Sequence, residues 1–224
     1  MVHSTLPSDG ARAQAAAAFA GRALWLVRHG ESTWNRLGLA QGHNDEAELT
    51  ERGQQHARDV AKTLRDHLIA EVYVSDLRRA VQTATPLAAV LGLPMCQDAR
   101  LRERCLGVME GAALTEAGPA VTGIQAGLVI DPDARPEGGE SLRDFYQRAA
   151  ASADDMAARA ALAAIPPGDI VVVAHGGTLR MLYAYLNGLP VEQMSWMPVP
   201  NGSILRVAGG LDGNRRDSAR REHT

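Results

Sequence analysis

Two short apolar segments, each followed closely by a His-Gly pair, constrain the fold of this chain more than any other feature. The first covers residues 23–27 and precedes His29; the second covers residues 169–174 and precedes His175. Continuous apolarity over five or six residues is typical of a strand that is buried on both faces of a sheet. Such strands occur mainly in parallel sheets that helices cover on both sides.

Helical patterns alternate with these strands. An apolar repeat close to 3.6 residues predicts a helix over residues 50–68, with Thr50 as its N-cap. Ser75 and Asp76 are suitable caps for the next helix, which Pro86 is expected to interrupt or kink. The other predicted elements are strands at residues 72–74 and 203–207 and helices at residues 141–162 and 178–186. This alternation predicts an α/β fold, a three-layer sandwich with a mostly parallel central sheet and helices on both faces.

The 224 residues suit one domain of ordinary size. We predict this domain over residues 22–210, with an insertion at about residues 107–137 that is rich in glycine and should contain some helix. Residues 1–21 are predicted to be a flexible N-terminal tail, and residues 211–224 a polar C-terminal tail.

Charge and composition argue against several kinds of function. The formal net charge is −3, so the chain lacks the basic surface of a nucleic-acid-binding protein. No apolar run reaches the roughly 18 residues that a membrane span needs, and the first 21 residues do not resemble a signal peptide. The two cysteines, Cys96 and Cys105, form no CxxC pair, so we expect a cytoplasmic protein.

The two strand-end histidines are the first candidates for chemistry. In open α/β sheets the binding crevice lies at the carboxyl ends of the strands, so His29 and His175 are expected to face each other there. Gly30, Gly176 and Gly177 have no side chains to block a ligand, and backbone N–H groups at a helix start suit an anion.

Two arginines add positive charge to this pair of histidines. Arg28 precedes the first histidine, and Arg79 lies one turn into a predicted helix. Arginine forks match phosphate oxygens, and a neutral imidazole can attack phosphorus. A leaving alkoxide also needs a general acid, for which Glu103 is the candidate. These residues predict a phosphate site with a histidine nucleophile.

Five motifs in a fixed order carry a family resemblance. They are LVRHGESTWN at residues 26–35, LTERGQQHA at 49–57, SDLRRAVQTA at 75–84, LRER at 101–104 and AHGG at 174–177. Together they resemble the histidine phosphatase superfamily, which includes the cofactor-dependent phosphoglycerate mutases. A single RHG triplet would be a weak signal, whereas five ordered motifs are specific.

The resemblance implies a role for each matching residue. His29 becomes phosphohistidine, and Glu103 first donates a proton and then activates water. The implied catalytic residues are His29, Glu103, His175, Arg28 and Arg79. The substrate phosphate is implied to contact Arg28, His29, Asn35, Gln41, Gly42, Arg79, His175 and Gly176. This covalent chemistry uses no metal and no cofactor, so the implied enzyme is a metal-independent phosphomonoesterase of the histidine acid phosphatase type.

Hydrolysis is favoured over a mutase reaction. Mutases of this family carry a tyrosine and a lysine where this chain has Leu106 and Leu114, and an arginine pair in the insertion, whereas residues 111–134 contain no arginine. We therefore predict a phosphatase for a small phosphorylated metabolite, a monophosphate with an uncharged or apolar body. A bisphosphoglycerate-dependent mutase and a non-catalytic phosphate-binding module remain the alternatives, although the latter usually lacks a catalytic residue.

Other phosphate chemistries match the sequence less well. Cys96 and Arg102 have the C-x5-R spacing of cysteine phosphatases, but the loop between them has no glycine and contains Asp98. An aspartate phosphatase at Asp131 would need a lysine downstream, and Lys62 lies upstream. A zinc hydrolase is disfavoured because the chain has no HExxH motif.

Some neighbouring residues have simpler interpretations. We expect Glu110 to be a surface charge and Cys105 a buried free thiol. Ser32 either contacts phosphate or caps its own segment, and Asn201 is expected to support the site structurally.

Overall fold

The structure, a computed structural model, describes residues 19, 22–116, 123–162, 166–194 and 196–208. Its strands are β1 (Ala23–Arg28), β2 (Ile69–Val74), β3 (Met95–Gln97), β4 (Ile124–Gln125), β5 (Leu128–Val129), β6 (Asp169–Ala174) and β7 (Ile204–Ala208). Its α-helices are α1 (Thr33–Leu37), α2 (Glu51–Leu64), α3 (Arg78–Leu91), α4 (Leu142–Ala160) and α5 (Gly176–Leu186).

Five of these strands form the central sheet, in the order β3-β2-β6-β1-β7. The pairs β2–β3, β2–β6 and β1–β6 are parallel, and only the edge strand β7 runs antiparallel to its neighbour β1. Val27 of β1 and Val74 of β2 both pair with Val173 of β6. The carboxyl ends of these three strands therefore lie at one edge of the sheet.

Helices cover both faces, because alternate side chains of the buried strands point to opposite sides. Ile170 and Val172 of β6 pack with α4 and α5, whereas Val171 and Val173 pack with α2 and α3. The predicted α/β three-layer sandwich is confirmed. Phe19, which we placed in the N-terminal tail, is buried in the first of these two cores; the C-terminal tail lies outside the described residues.

Several helix boundaries differ from the predictions; α5, for example, begins at Gly176 rather than at residue 178. Thr50 caps α2 as expected, but the helix ends at Leu64 rather than at residue 68. Ser75 and Asp76 do not cap α3, whose N-cap is Leu77, so that prediction was wrong. The side chains of Ser75 and Asp76 instead bond to His175 and Arg102.

The helix α3 continues through Pro86 to Leu91, so the proline does not interrupt it, which was one of the two expected effects. Ala80, Ala84 and Leu87 pack its inner face into the core, and this burial stabilises the helix despite the proline.

The insertion forms short turns and one small hairpin. Its described parts contain 3-10 turns at Gly107–Met109 and Leu114–Glu116, and no α-helix. Strands β4 and β5 pair antiparallel across Ala126 and Gly127, both of which have positive φ. The amide of Trp196 donates to the Gly127 carbonyl (2.9 Å), which attaches the hairpin to the segment after α5. Among the described residues, no helix combines the length and apolarity needed to cross a bilayer.

Gly30 allows the close approach of two backbone segments. A Cβ at Gly30 would lie 2.3 Å from the Gly53 carbonyl oxygen, and a Cβ at Gly53 would lie 2.0 Å from the Glu31 carbonyl oxygen. The expectation that Gly30 leaves room for a ligand is therefore wrong: it leaves room for the first turn of α2.

We predict that Gly53→Ala destabilises the protein, although alanine normally stabilises a helix by about 0.5–1 kcal/mol relative to glycine. The added methyl group overlaps backbone atoms that cannot rotate away, and such overpacking costs about 1–3 kcal/mol or more. Urea unfolding gives the free energy. The control is Gly188→Ala, where no atom lies within 4 Å and only the φ of +67° opposes alanine. A stabilised Gly53→Ala variant would contradict the close approach.

Candidate active site

The carboxyl ends of β1, β2 and β6 open into a pocket of about 330 Å³. All nine residues that the sequence analysis assigned to the site line this pocket: Arg28, His29, Asn35, Gln41, Gly42, Arg79, Glu103, His175 and Gly176. The fold therefore brings together the residues of the separate motifs, while their individual roles stay predictions.

His29 follows β1 and is 2% exposed. The His29 amide donates to the Ala174 carbonyl (2.9 Å), and the His29 carbonyl accepts from Asn201 Nδ2 (3.2 Å). Its ring Nδ1 lies 2.8 Å from the Gly30 carbonyl oxygen. Because a carbonyl only accepts, Nδ1 carries the ring hydrogen and Nε2 keeps a lone pair. As predicted, Asn201 supports the site through the backbone.

His175 lies beside it, with 5.1 Å between the ring centroids and 59° between the ring planes. Its Nε2 is 2.8 Å from Ser75 Oγ. Its Nδ1 is buried and has no hydrogen-bond partner among the described residues. Ser75 follows β2 directly, so the residues that follow β1, β2 and β6 are in contact with one another through the two histidine rings.

Burial and neighbouring positive charge favour the neutral form of both rings. Burial lowers the pKa of His29 well below 6.5, and the charges of Arg79 and Arg28 lower it further, against a raising effect of the Gly30 carbonyl. The pKa of His175 is lowered in the same way, by burial first and then by Arg79. A neutral ring retains the lone pair that an attack on phosphorus requires.

The two arginines are held by backbone carbonyls. Arg79 is fully buried and donates to the carbonyls of Asn44 (2.8 Å) and Gly42 (2.9 Å). Arg28 donates from Nη1 to the Val199 carbonyl (2.5 Å). In both side chains Nε is buried without a partner among the described residues. Burial lowers the pKa of Arg79 to about 10, so it remains charged at neutral pH. The carbonyls orient both forks before any anion binds.

Two side-chain amides complete the polar wall. Asn35 Oδ1 accepts from the Ser32 amide (3.2 Å) and from Asn201 Nδ2 (3.0 Å), and Gln41 Oε1 accepts from Ser32 Oγ (2.8 Å). With both oxygens occupied, the NH2 groups of Asn35 and Gln41 remain as donors. Ser32 itself is fully buried as the N-cap of α1, which answers the question of its role in favour of capping.

Glu103 belongs to a different segment of the chain, but its side chain lies beside the N-terminus of α5. Its two carboxylate oxygens accept from the amides of Gly177 (2.9 Å) and Arg104 (2.9 Å). A Cβ at Gly177 would lie 2.1 Å from Glu103 Oε1, so Gly177 makes room for this carboxylate and not only for a ligand. Arg148 holds the segment that contains Glu103, because it donates to the Glu103 carbonyl (3.0 Å) and to Glu140 Oε1 (2.5 Å).

Two neighbours of this loop differ from the expectations. Glu110 is not a surface charge: its Oε1 accepts from the amides of His43 (2.8 Å) and Leu106 (3.1 Å) and so joins the Gly42 segment to the Glu103 loop. No sequence pattern distinguishes such a bridging carboxylate from a solvated one. Cys105 is a free thiol, as predicted, but it is only partly buried.

The geometry does not support the cysteine phosphatase alternative. Arg102 of the C-x5-R segment forms an ion pair with Asp76 (2.5 Å), and neither Cys96 nor Arg102 lines the pocket. In the part of the chain that the structure describes, no group of three or more His, Cys, Asp or Glu side chains is placed to hold a metal ion.

Several residues at the site were not predicted from the sequence, among them Ser75, Arg180 and Trp196. Ser75 had the same signal as the two histidines, since it directly follows a buried strand. Arg180 lies four residues after Gly176 in α5, and this spacing places both on one helix face. No sequence signal identifies Trp196, which reaches the pocket from a segment without regular structure.

Comparisons with known proteins agree with these motifs. The family model described as histidine phosphatase superfamily (branch 1) matches residues 24–219. Phosphoglycerate mutase-like protein 4 of Arabidopsis thaliana is 40% identical over 164 residues, which cover 70% of this chain and 68% of that protein. A probable phosphoglycerate mutase GpmB of Erwinia tasmaniensis is 35% identical over 185 residues, 82% of this chain and 83% of its own.

Solved structures of phosphatases are also similar. A mycobacterial glucosyl-3-phosphoglycerate phosphatase in complex with VO3 has a TM-score of 0.72 at 32% identity and covers 83% of this chain and 90% of its own. The α-ribazole phosphatase of Shigella flexneri has a TM-score of 0.70 at 28% identity, covering 82% and 89%. The chain belongs to the histidine phosphatase superfamily.

Proposed function

We propose that this protein is a phosphomonoester hydrolase that acts on a small phosphorylated metabolite through a phosphohistidine at His29. The observation that carries the proposal is the contact of His29 Nδ1 with the Gly30 carbonyl, which leaves the Nε2 lone pair free in a pocket that Arg28 and Arg79 also line. A nucleophile beside fixed positive charge suits the attack on a phosphate group. The two partly buried cysteines are free thiols, which supports a cytoplasmic site of action.

The phosphoryl group binds among donors that the protein leaves unused. Nε of Arg28 and Nε of Arg79 provide charge-assisted hydrogen bonds. If Ser75 Oγ–H donates to Nε2 of His175, the hydrogen of His175 lies on Nδ1 and points to a phosphoryl oxygen. The NH2 groups of Asn35 and Gln41 and the first turn of α5 add neutral donors.

In the first step a bond forms between His29 Nε2 and phosphorus while the ester P–O bond breaks. Glu103 transfers its proton to the leaving oxygen. In the second step Glu103 takes a proton from water, the water oxygen attacks phosphorus, and the N–P bond breaks to release inorganic phosphate and restore His29. Every proton and electron pair is handled by this chain, the substrate and one water molecule, so the proposal needs no metal and no cofactor.

Hydrolysis suits the pocket better than phosphoryl exchange. Leu106 and Leu114, at the positions where mutases carry tyrosine and lysine, both line the pocket with apolar atoms. The similar solved structures include two named phosphatases. A bisphosphoglycerate-dependent mutase remains the second candidate, because sequence relatives at 35–40% identity carry mutase names. A non-catalytic phosphate binder is the third, although all five implied catalytic residues are present.

We predict that wild-type protein releases phosphate from some members of a phosphomonoester panel and that His29→Ala lowers this activity by about 10³-fold or more. Acid quenching during turnover should show acid-labile phosphate on the wild type alone. The matched control is His67→Ala, which removes an exposed histidine outside the pocket. No release from any ester would favour the mutase or the phosphate binder.

We predict that Glu103→Gln lowers kcat for alkyl phosphates by about 10²–10⁴-fold, because a poor leaving group depends on the general acid. The loss should be much smaller for p-nitrophenyl phosphate, whose phenolate leaves without a proton. Steady-state kinetics with both substrates on both proteins provide the comparison. Equal losses would remove Glu103 from the acid role.

We predict that neutral His29 makes stability depend on pH. Its folded-state pKa lies below its unfolded value near 6.5, so its contribution is complete above that value and is lost as pH falls toward the folded pKa. The stability difference between wild type and His29→Gln should change between pH 7.5 and 5 by up to about 1.4 kcal/mol per pH unit below 6.5, to the disadvantage of the wild type. Urea unfolding checks this, and a constant difference would mean an ordinary His29 pKa.

A further inference from the structure

A third arginine, Arg180, lines the pocket with Arg28 and Arg79. Because residues 111–134 contain no arginine, the sequence predicted a substrate with an uncharged or apolar body. In the structure, however, Arg180 of α5 adds a further positive charge to the pocket. Arg180 is only 9% exposed, so its charge is directed into the pocket rather than into bulk water.

One edge and one face of the Arg180 guanidinium are already occupied. Nε donates to the Met197 carbonyl (2.7 Å), and the guanidinium carbon lies 4.2 Å from the centre of the Trp196 ring. These contacts hold the group in one orientation. Its two terminal nitrogens form no hydrogen bond within the described residues. They are therefore a fixed pair of donors that face the pocket.

Arg180 lies beside Arg28 and does not replace it. A Cβ at Gly176 would lie 3.2 Å from Arg180 Nη1 and 3.4 Å from Arg28 Nε, so the two guanidinium groups flank Gly176. A ligand whose phosphoryl group contacts Arg28 can reach Arg180 with a second group on the same molecule.

This second group must be an anion. Burial lowers the pKa of Arg180, and Glu103 is the acidic residue that opposes this effect. In the proposed mechanism Glu103 is protonated and uncharged until it donates its proton, and the phosphoryl group occupies Arg28 and Arg79. A buried cation without a partner is costly. One planar fork of two donors matches a carboxylate, whereas a second phosphate dianion would need several cations.

Most of the remaining pocket wall is apolar, and Arg104, which also lines the pocket, donates from Nε and Nη2 to the carbonyls of Glu140 and Ala134. Leu39, Leu106, Leu114 and Ile124 line it together with the polar residues already described. Apolar side chains hold the carbon skeleton of a ligand by burial and offer no partners to hydroxyl groups.

We propose that Arg180 is a specificity-determining residue and that it binds a carboxylate on the substrate. The substrate is then a phosphomonoester with one carboxylate near the ester and an otherwise apolar body. This inference rests on the proposed hydrolase function. It changes the expected charge of the substrate outside its phosphate group from zero to a single negative charge.

The test compares 3-carboxyphenyl phosphate with 3-carbamoylphenyl phosphate, which has the same shape without the charge. Wild type should prefer the carboxylate by about 10–100-fold in kcat/KM, mainly through KM, since a hydrogen-bonded charge contributes about 1.5–3 kcal/mol. In Arg180→Met this ratio should fall to about 1, and in Arg180→Lys to an intermediate value. The control is Arg206→Met, which removes an exposed arginine stacked on Trp25 outside the pocket and should keep the wild-type ratio.

Two results would overturn the proposal. The first is equal kcat/KM for the two esters in wild type. The second is an unchanged ratio in Arg180→Met, and an equal loss for both esters there would mean that Arg180 holds the phosphoryl group or the fold. Calorimetric binding of both esters to His29→Ala measures the same preference without turnover. Preferential binding with no hydrolysis by wild type would therefore contradict the hydrolase function while supporting the role of Arg180.

Discussion

The parallel pairing of β6 with β1 on one side and with β2 on the other is the constraint on which the site depends. Both ladders continue past the strand ends, since the His29 amide donates to the Ala174 carbonyl and the Ser75 amide to the Val173 carbonyl. The residues that follow three distant strands are thereby placed side by side. Backbone register, and not proximity in the chain, brings His29, Ser75 and His175 into contact.

Around this framework the protein concentrates positive charge in a poorly solvated pocket. Arg28, Arg79 and Arg180 each donate to at least one backbone carbonyl, which lowers the cost of their burial without neutralising their charge. Burial first, and then the charges of Arg79 and Arg28, lower the pKa of both histidines. An anionic ligand therefore meets donors that are already oriented, so little reorganisation accompanies binding.

Glycines show how a correct motif can be explained by the wrong contact. Gly30 and Gly177 both belong to motifs near the phosphate site, and small residues there suggest space for a ligand. In the structure Gly30 accommodates the backbone of α2, and Gly177 accommodates the carboxylate of Glu103. A sequence shows that a side chain is absent, but the atoms that use the space come from other segments.

The sequence by itself determined the α/β architecture, because apolar strands are local patterns. The resemblance of its ordered motifs to a known family implied nine of the residues that line the pocket. The sequence did not determine the role of Ser75, the bridging position of Glu110 or the presence of Arg180 in the pocket. Serine, glutamate and arginine are common as helix caps and solvated charges, so their residue type carries little information about their partners. Tertiary structure decided these roles, because hydrogen-bond partners and the loss of solvent are set by segments far away in the chain.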